Sequence, residues 1–206
     1  GAVRWIGKRR TVSDIMREVR RDIPFYGEDG GITLTGGEAT MQPDLCYALL
    51  RLAKEENIST AIETSGHTQW DVLACLLPYL DHILFDVKHV DNEMHHAHTG
   101  LGNELILSNL QQLAAIGAPV TIRIPLIPGF NATKESLLAI GRFILSLDGN
   151  LSEIDLLPFH KLGRAKYEAL GREFPWDDYE RLDEGEVEAM TDVLRSLGFK
   201  VSVGGV

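Results

Sequence analysis

Two hydrophobic periods alternate along this chain. Short runs of β-branched and apolar residues at Ile32-Thr-Leu-Thr35, Ser59-Thr-Ala-Ile-Glu-Thr64, Ile83-Leu-Phe-Asp-Val-Lys88, Val120-Thr-Ile-Arg-Ile124 and Glu153-Ile-Asp-Leu-Leu157 read as strands. Between them, apolar residues recur every three or four positions, which predicts helices over 12–21, 44–57, 70–80, 104–116, 134–147 and 185–197. Thr11 or Ser13 caps the first helix, whose Ile15, Met16 and Val19 share a face. The second turns Leu45, Leu49, Leu52 and Ala53 inward, and Gly117 supplies a left-handed stop after 104–116. Lys200 to Val203 adds a short last strand. Residues 163–184 mix basic, aromatic and acidic side chains without a period, and are expected to be the flexible segment.

Strands that alternate with helices of ten or more residues make βαβ units and a parallel sheet, so the fold class is α/β. The helices are apolar on one face only, which favours a barrel or part-barrel over a doubly wound sheet and leaves the latter open. At 206 residues the chain is expected to form a single domain, or one and a fragment. No apolar run approaches the length needed to span a bilayer. The net charge of −10 argues against nonspecific binding to nucleic acid or anionic membranes. Cys46 and Cys75 fall in apolar helical stretches and read as small buried hydrophobes in a reducing, cytoplasmic setting. Gly1-Ala2 reads as a cloning remnant, and the natural start is expected upstream.

In parallel α/β folds, ligands sit where strands end and successive loops converge. The first predicted strand breaks on Gly36-Gly37, which exposes backbone N–H and C=O groups, and Glu38 follows as an acceptor. Later strands end on Glu63, Thr64 and Ser65, on Asp86 and Lys88, on Arg123, and on His160. Alternation sends Asp86 and Lys88 to the same face. A lysine and an arginine inside a barrel need an anion, so the set fits a zwitterion: carboxylate on Lys88 and Arg123, ammonium on Glu38 and the glycine backbone. The plainer reading of Asp86 and Lys88 is an internal ion pair.

Taken in order, Thr-Gly-Gly-Glu-Ala, Glu-Thr-Ser-Gly, Asp-Val-Lys, Arg123-Ile-Pro-Leu-Ile-Pro-Gly129 and Leu157-Pro-Phe-His160-Lys-Leu-Gly163-Arg-Ala-Lys166-Tyr167 resemble the radical S-adenosylmethionine (SAM) enzymes that activate glycyl-radical enzymes. Pyruvate formate-lyase activating enzyme is the best-known member. The resemblance runs from about Thr11 to Lys200. It implies a partial (β/α)6 TIM-like barrel of the radical SAM type. It implies that Gly36, Gly37 and Glu38 hold the SAM ammonium, that Lys88 and Arg123 hold its carboxylate, and that His160 packs near the adenosine. Glu63, where the pattern usually has Asp, joins Thr64 and Asp86 as candidates for a monovalent-cation site. The implied activity uses a reduced [4Fe–4S] cluster to cleave SAM, and the resulting radical takes hydrogen from a glycine Cα of the partner protein. A flavodoxin- or ferredoxin-type protein is the implied electron donor.

One departure from the family pattern is large. The Cys-x-x-x-Cys-x-x-Cys signature is absent, and two cysteines in separate helices do not replace it. The chain is therefore expected to be the C-terminal portion of a longer activating enzyme, lacking its first strand and cluster loop and inactive alone. The Ile32 strand would then carry an open edge and promote self-association. Two rivals remain: a non-catalytic module that binds SAM or a partner, and a part-barrel lyase or hydrolase using Lys88 and Glu63 as base and acid. His95 and His98, at helical spacing in Met94-His-His-Ala-His-Thr-Gly100, lack a fixed fourth ligand and are not assigned to a metal. Tyr26 and Trp176 are read as packing or rim residues, and Asp177, Asp178, Asp183 and Glu184 as loop and cap residues.

Overall fold

The computed structural model describes residues 7–27 and 30–204, apart from the Leu162 side chain; Gly1-Ala2 lie outside them. Among these residues six strands form one sheet in chain order, with β1 and β6 as its edge strands. The chain divides into two compact units. The first runs to Thr64 and resumes over Thr68–Ile83; the second takes Ser65–His67 and the chain from Leu84 onward.

The first unit opens with α1 (Val12–Asp22). Thr11 Oγ1 accepts from the Asp14 amide at 3.1 Å, and the Asp14 carboxylate accepts from the Thr11 amide, a reciprocal cap that fixes the start. Next come β1 (Gly31–Leu34), α2 (Pro43–Glu55) and β2 (Ser59–Thr64), with β1 and β2 parallel in the register Gly31 to Ser59 through Leu34 to Ile62. Pro43 takes the first turn of α2, where its missing N–H costs nothing. The helix stops two residues short of the sequence expectation because Asn57 adopts φ 58° and the Ile58 amide turns back to the Ala53 carbonyl. Cys46, Leu49, Leu50 and Ala53 are its buried face, and Met16 of α1 is fully buried. Predicted as one helix, 70–80 is α3 (Trp70–Leu76) followed by a 3₁₀ turn, since Pro78 has no amide to continue the α ladder. Leu73 and Leu76 face inward while Cys75 is exposed, which corrects its reading as a buried residue. The strand β3 (His82–Asp86) begins in this unit and ends in the next.

The second unit continues with α4 (Asn92–Thr99), α5 (Glu104–Ala115), β4 (Val120–Leu126), α6 (Lys134–Leu145), β5 (Glu153–Pro158), α7 (Arg164–Ala169), α8 (Glu184–Ser196) and β6 (Lys200–Val203). β4, β5 and β6 pair in parallel, Ile122 with Ile154 and Glu153 with Lys200. Phe85, Ile122, Ile124, Leu126 and Leu156 are fully buried in this unit. Each is worth about 1.5–3 kcal/mol as a buried large apolar side chain. Gly141 lets α6 approach α8: a Cβ there would stand 2.5 Å from Leu197 Cδ1. Gly117, at φ 67°, ends α5 as expected. α4 is a helix the periodicity did not announce; Asp91 caps it by accepting from the Met94 amide at 2.8 Å, and Gly100 closes it at φ 79°. The segment expected to be flexible contains α7 and a small aromatic cluster of Tyr167, Phe174 and Trp176, packed edge to face. No helix of the described residues is long and apolar enough to cross a membrane.

Candidate functional site

The residues singled out at strand ends fall into one set in each unit. In the first, β1 gives way to Gly36 and Gly37 at φ 94° and 64°, a conformation costly for residues with a Cβ. Both are exposed, and no heavy atom lies within 4 Å of where a Cβ would stand, so the backbone faces open space. Glu38 then caps a short 3₁₀ turn, Ala39–Met41. Its Oε1 accepts from the Thr40 amide at 3.2 Å, from Thr40 Oγ1 at 2.8 Å and from Thr64 Oγ1 at 2.7 Å. The carboxylate expected to meet a ligand's cation is thus also a cap, drawn over two buried threonines. Thr35 Oγ1 donates to Glu63 Oε2 at 2.9 Å. Beneath this turn the Cys46 thiol donates to the Ala39 carbonyl at 3.1 Å. Burial pushes that thiol up from its ordinary pKa, and the Glu38 charge adds to the effect.

In the second unit Lys88 Nζ donates to Asp86 Oδ2 at 2.9 Å, so the internal ion pair is present. Arg123 Nε lies 3.9 Å from Asp86 Oδ1. All three side chains are largely buried, with 16–26% of each exposed. Two cations therefore flank one carboxylate at the end of β3; Arg123 does not close its strand as expected but sits inside β4, which runs on to Leu126. His160 follows β5 and is exposed; it lines a groove of about 450 Å³ with Pro158, Phe159, Arg181, Val187 and Val203.

Sequence reasoning missed the residues that hold these strand ends in place. Asn131, fully buried, donates from Nδ2 to the Lys88 carbonyl at 2.8 Å and to the Pro125 carbonyl at 2.7 Å. Its Oδ1 accepts from the Ile127 amide at 2.7 Å. Asn103, also buried, donates to the His89 carbonyl at 2.8 Å. After a Pro-Gly pair, Asn131 reads as an ordinary turn residue; its partner 43 positions upstream leaves no local signal. His95 is buried and bonded to the Leu101 carbonyl at 2.7 Å, while His98 stacks on Phe130 with ring centroids 4.2 Å apart. Among the described residues no group of three or more His, Cys, Asp or Glu is arranged to hold a metal ion.

Comparison with known proteins adds the following. Residues 2–139 match the Radical SAM superfamily. The chain is 38% identical over 205 residues to the choline trimethylamine-lyase activating enzyme of Oleidesulfovibrio alaskensis, covering 98% of this chain and 66% of that protein. It is 40% identical over 201 residues to the isethionate sulfite-lyase activating enzyme of Desulfovibrio desulfuricans, covering 95% and 61%. The chain thus spans less than two thirds of the length of these curated relatives. A crystal structure of a domain of pyruvate-formate lyase-activating enzyme from Bacteroides vulgatus is similar at TM-score 0.72 and 27% identity, over 85% of this chain and 99% of that one.

Proposed function

The chain belongs to the radical SAM superfamily, and from that premise we propose that it is the SAM-holding part of an enzyme that activates a glycyl-radical enzyme. The reading is supported by the activating-enzyme relatives and carried by one observation, the two largely buried cations, Lys88 just past β3 and Arg123 within β4, that flank Asp86. The superfamily uses SAM together with a [4Fe–4S] cluster.

The two groups fit these residues differently. Site-differentiated ligation of a cluster takes three thiolates. The chain has two cysteines, one buried with a raised pKa and bonded to a carbonyl, the other exposed on α3. They do not fit, and under this reading the thiolates come from residues other than these 206. The two ends of the SAM amino-acid group each have residues of suitable chemistry: bare glycine backbone beside the Glu38 carboxylate suits an ammonium, and the paired cations Lys88 and Arg123 suit a carboxylate.

When bound, SAM supplies the adenosyl carbon that the superfamily turns into a hydrogen acceptor by one-electron reduction. The residues of this chain bind and orient. In the proposal Gly36, Gly37 and Glu38 receive the ammonium, with the Glu38 carboxylate held in place by the Thr40 amide and the Thr40 and Thr64 hydroxyls. Lys88 and Arg123 receive the carboxylate, with Asp86 holding Lys88 in place. His160 lies beside the adenosine. Glu63, Thr64 and Asp86 remain proposed contributors to a monovalent-cation site. The partner is a glycyl-radical enzyme, the electron donor a flavodoxin- or ferredoxin-type protein, and the setting cytoplasmic.

Lys88→Ala and Arg123→Ala test the assignment. Each removes a charge-assisted contact of about 1.5–3 kcal/mol, so each should weaken SAM binding by about 10- to 150-fold in calorimetric titration. Unchanged affinity in both would overturn it. The cysteine inventory favours a second reading, a binding module without redox chemistry. Anaerobic reconstitution with iron and sulfide should leave this chain without a stoichiometric cluster under either reading. The coding sequence upstream separates them: a Cys-x-x-x-Cys-x-x-Cys there supports activation, and none supports the module.

A further inference from the structure

We infer that Asn131 is the positioning residue that sets the Lys88 and Arg123 backbones for the ligand carboxylate. The inference rests on the proposed role of those two cations and extends it to a residue that need not touch the ligand.

The observation begins with a ladder that stops. The Val87 amide, one residue past the end of β3, donates to the Arg123 carbonyl of β4 at 2.9 Å. In a parallel ladder the next donor would be the amide of residue 125. That residue is proline and has none. The Asn131 side chain takes over one residue further on. Its two amide hydrogens go to the carbonyls of Lys88 and Pro125, one on each chain segment, and its oxygen holds the Ile127 amide. Every hydrogen-bonding position of the amide nitrogen is used, in a side chain with no solvent exposure. The next carbonyl, that of His89, is held by the buried Asn103. Lys88 thus has its own carbonyl and the one after it tied by side-chain amides, while Arg123 stands two residues before Pro125.

The physical consequence concerns precision. Two cations that share one carboxylate ligand must keep their separation to within a fraction of an ångström. A proline-broken ladder does not fix that separation, and a fully satisfied buried amide does. Asn131→Asp keeps the shape, removes both donors and sets an acceptor against two carbonyls. Asn131→Ser is a milder change that keeps one hydroxyl donor.

The test compares SAM with decarboxylated SAM, which lacks only the carboxylate, by calorimetric titration of the chain. Asn131→Asp and Asn131→Ser should weaken SAM binding tenfold or more and leave decarboxylated SAM within about twofold. In a Lys88→Ala background the Asn131 change should add little, because its effect passes through Lys88. A merely structural role would lower both ligands alike and add fully to Lys88→Ala, and either result overturns the inference. If Lys88→Ala and Arg123→Ala both leave SAM binding unchanged, the underlying carboxylate assignment fails instead. Hydrogen exchange in the unaltered chain carries the same decision should the variants not fold. Protection of the Ile127 amide should rise with SAM and not with decarboxylated SAM, and equal protection by both would overturn the inference.

Discussion

The ends of β1 and β3 are built by opposite means. After β1, a run of consecutive residues does most of the work: two glycines open the backbone, and Glu38 closes on Thr40 two positions away, with Thr64 as its one distant hydroxyl donor among those bonds. After β3, almost nothing is local. Lys88 is paired to Asp86 nearby, but its backbone is held by Asn131 and that of His89 by Asn103, from turns far along the chain. A ligand end that needs bare backbone can be written into five consecutive residues. One that needs two cations at a fixed separation requires supports from several elements.

The sharpest contrast lies between two glycines with the same backbone hand. Gly66 sits at φ 70°, and a Cβ there would stand 2.1 Å from Phe85 Cζ in the core. Gly37 sits at φ 64° with nothing within 4 Å. Gly66→Ala should therefore cost about 3 kcal/mol or more, from overpacking added to left-handed strain. Gly37→Ala should cost only the strain, about 1 kcal/mol, while weakening SAM binding where the backbone must be approached. Denaturant melts and ligand titration of the two variants decide this. Equal stability losses would mean the β1 end is packed like the core.

Glu38 tests whether one carboxylate serves both as cap and as ligand group. Glu38→Ala leaves two buried threonine hydroxyls and an amide without their acceptor, and should cost about 2 kcal/mol. Glu38→Gln keeps an acceptor and should cost less than half as much, yet weaken SAM binding several-fold by losing the charge. Tight SAM binding by the glutamine variant would leave Glu38 as a cap alone.

Most of this fold was legible because the strand and helix periods are strong, and six helices and six strands stand close to where the pattern put them. The failures have specific causes. The break at Pro78 and the left-handed Asn57 shortened helices whose apolar period ran on. α4 is short and mostly polar, so no apolar period marks it, although its Asp91 cap and Gly100 stop are readable in the sequence. The end of β1 was readable because its chemistry is contiguous. Asn131 and Asn103 were not, since hydrogen bonds across 43 and 14 positions leave no mark in a window of sequence.

A smaller effect concerns pH at the second unit. Burial holds the His95 ring below its ordinary pKa of 6.5, with the Leu101 carbonyl opposing and Lys88, His89 and His67 adding to the depression. The folded state therefore resists a proton that the unfolded chain accepts. Stability is unaffected by His95 above the unfolded value, falls as pH drops below it, and levels off beneath the lowered folded value. The slope in that window is at most about 1.4 kcal/mol per pH unit. Melts of the unaltered chain and of His95→Gln between pH 8 and pH 5 should differ by that slope, and parallel curves would remove His95 as its source.

The account as a whole stands on recognition of the amino-acid end of SAM by Lys88 and Arg123. Calorimetric titration of the unaltered chain with SAM and with decarboxylated SAM measures that directly. The account predicts saturable binding of SAM and a loss on the order of 10- to 100-fold when the carboxylate is absent. Equal affinity for the two, or no saturable binding of SAM, would contradict it.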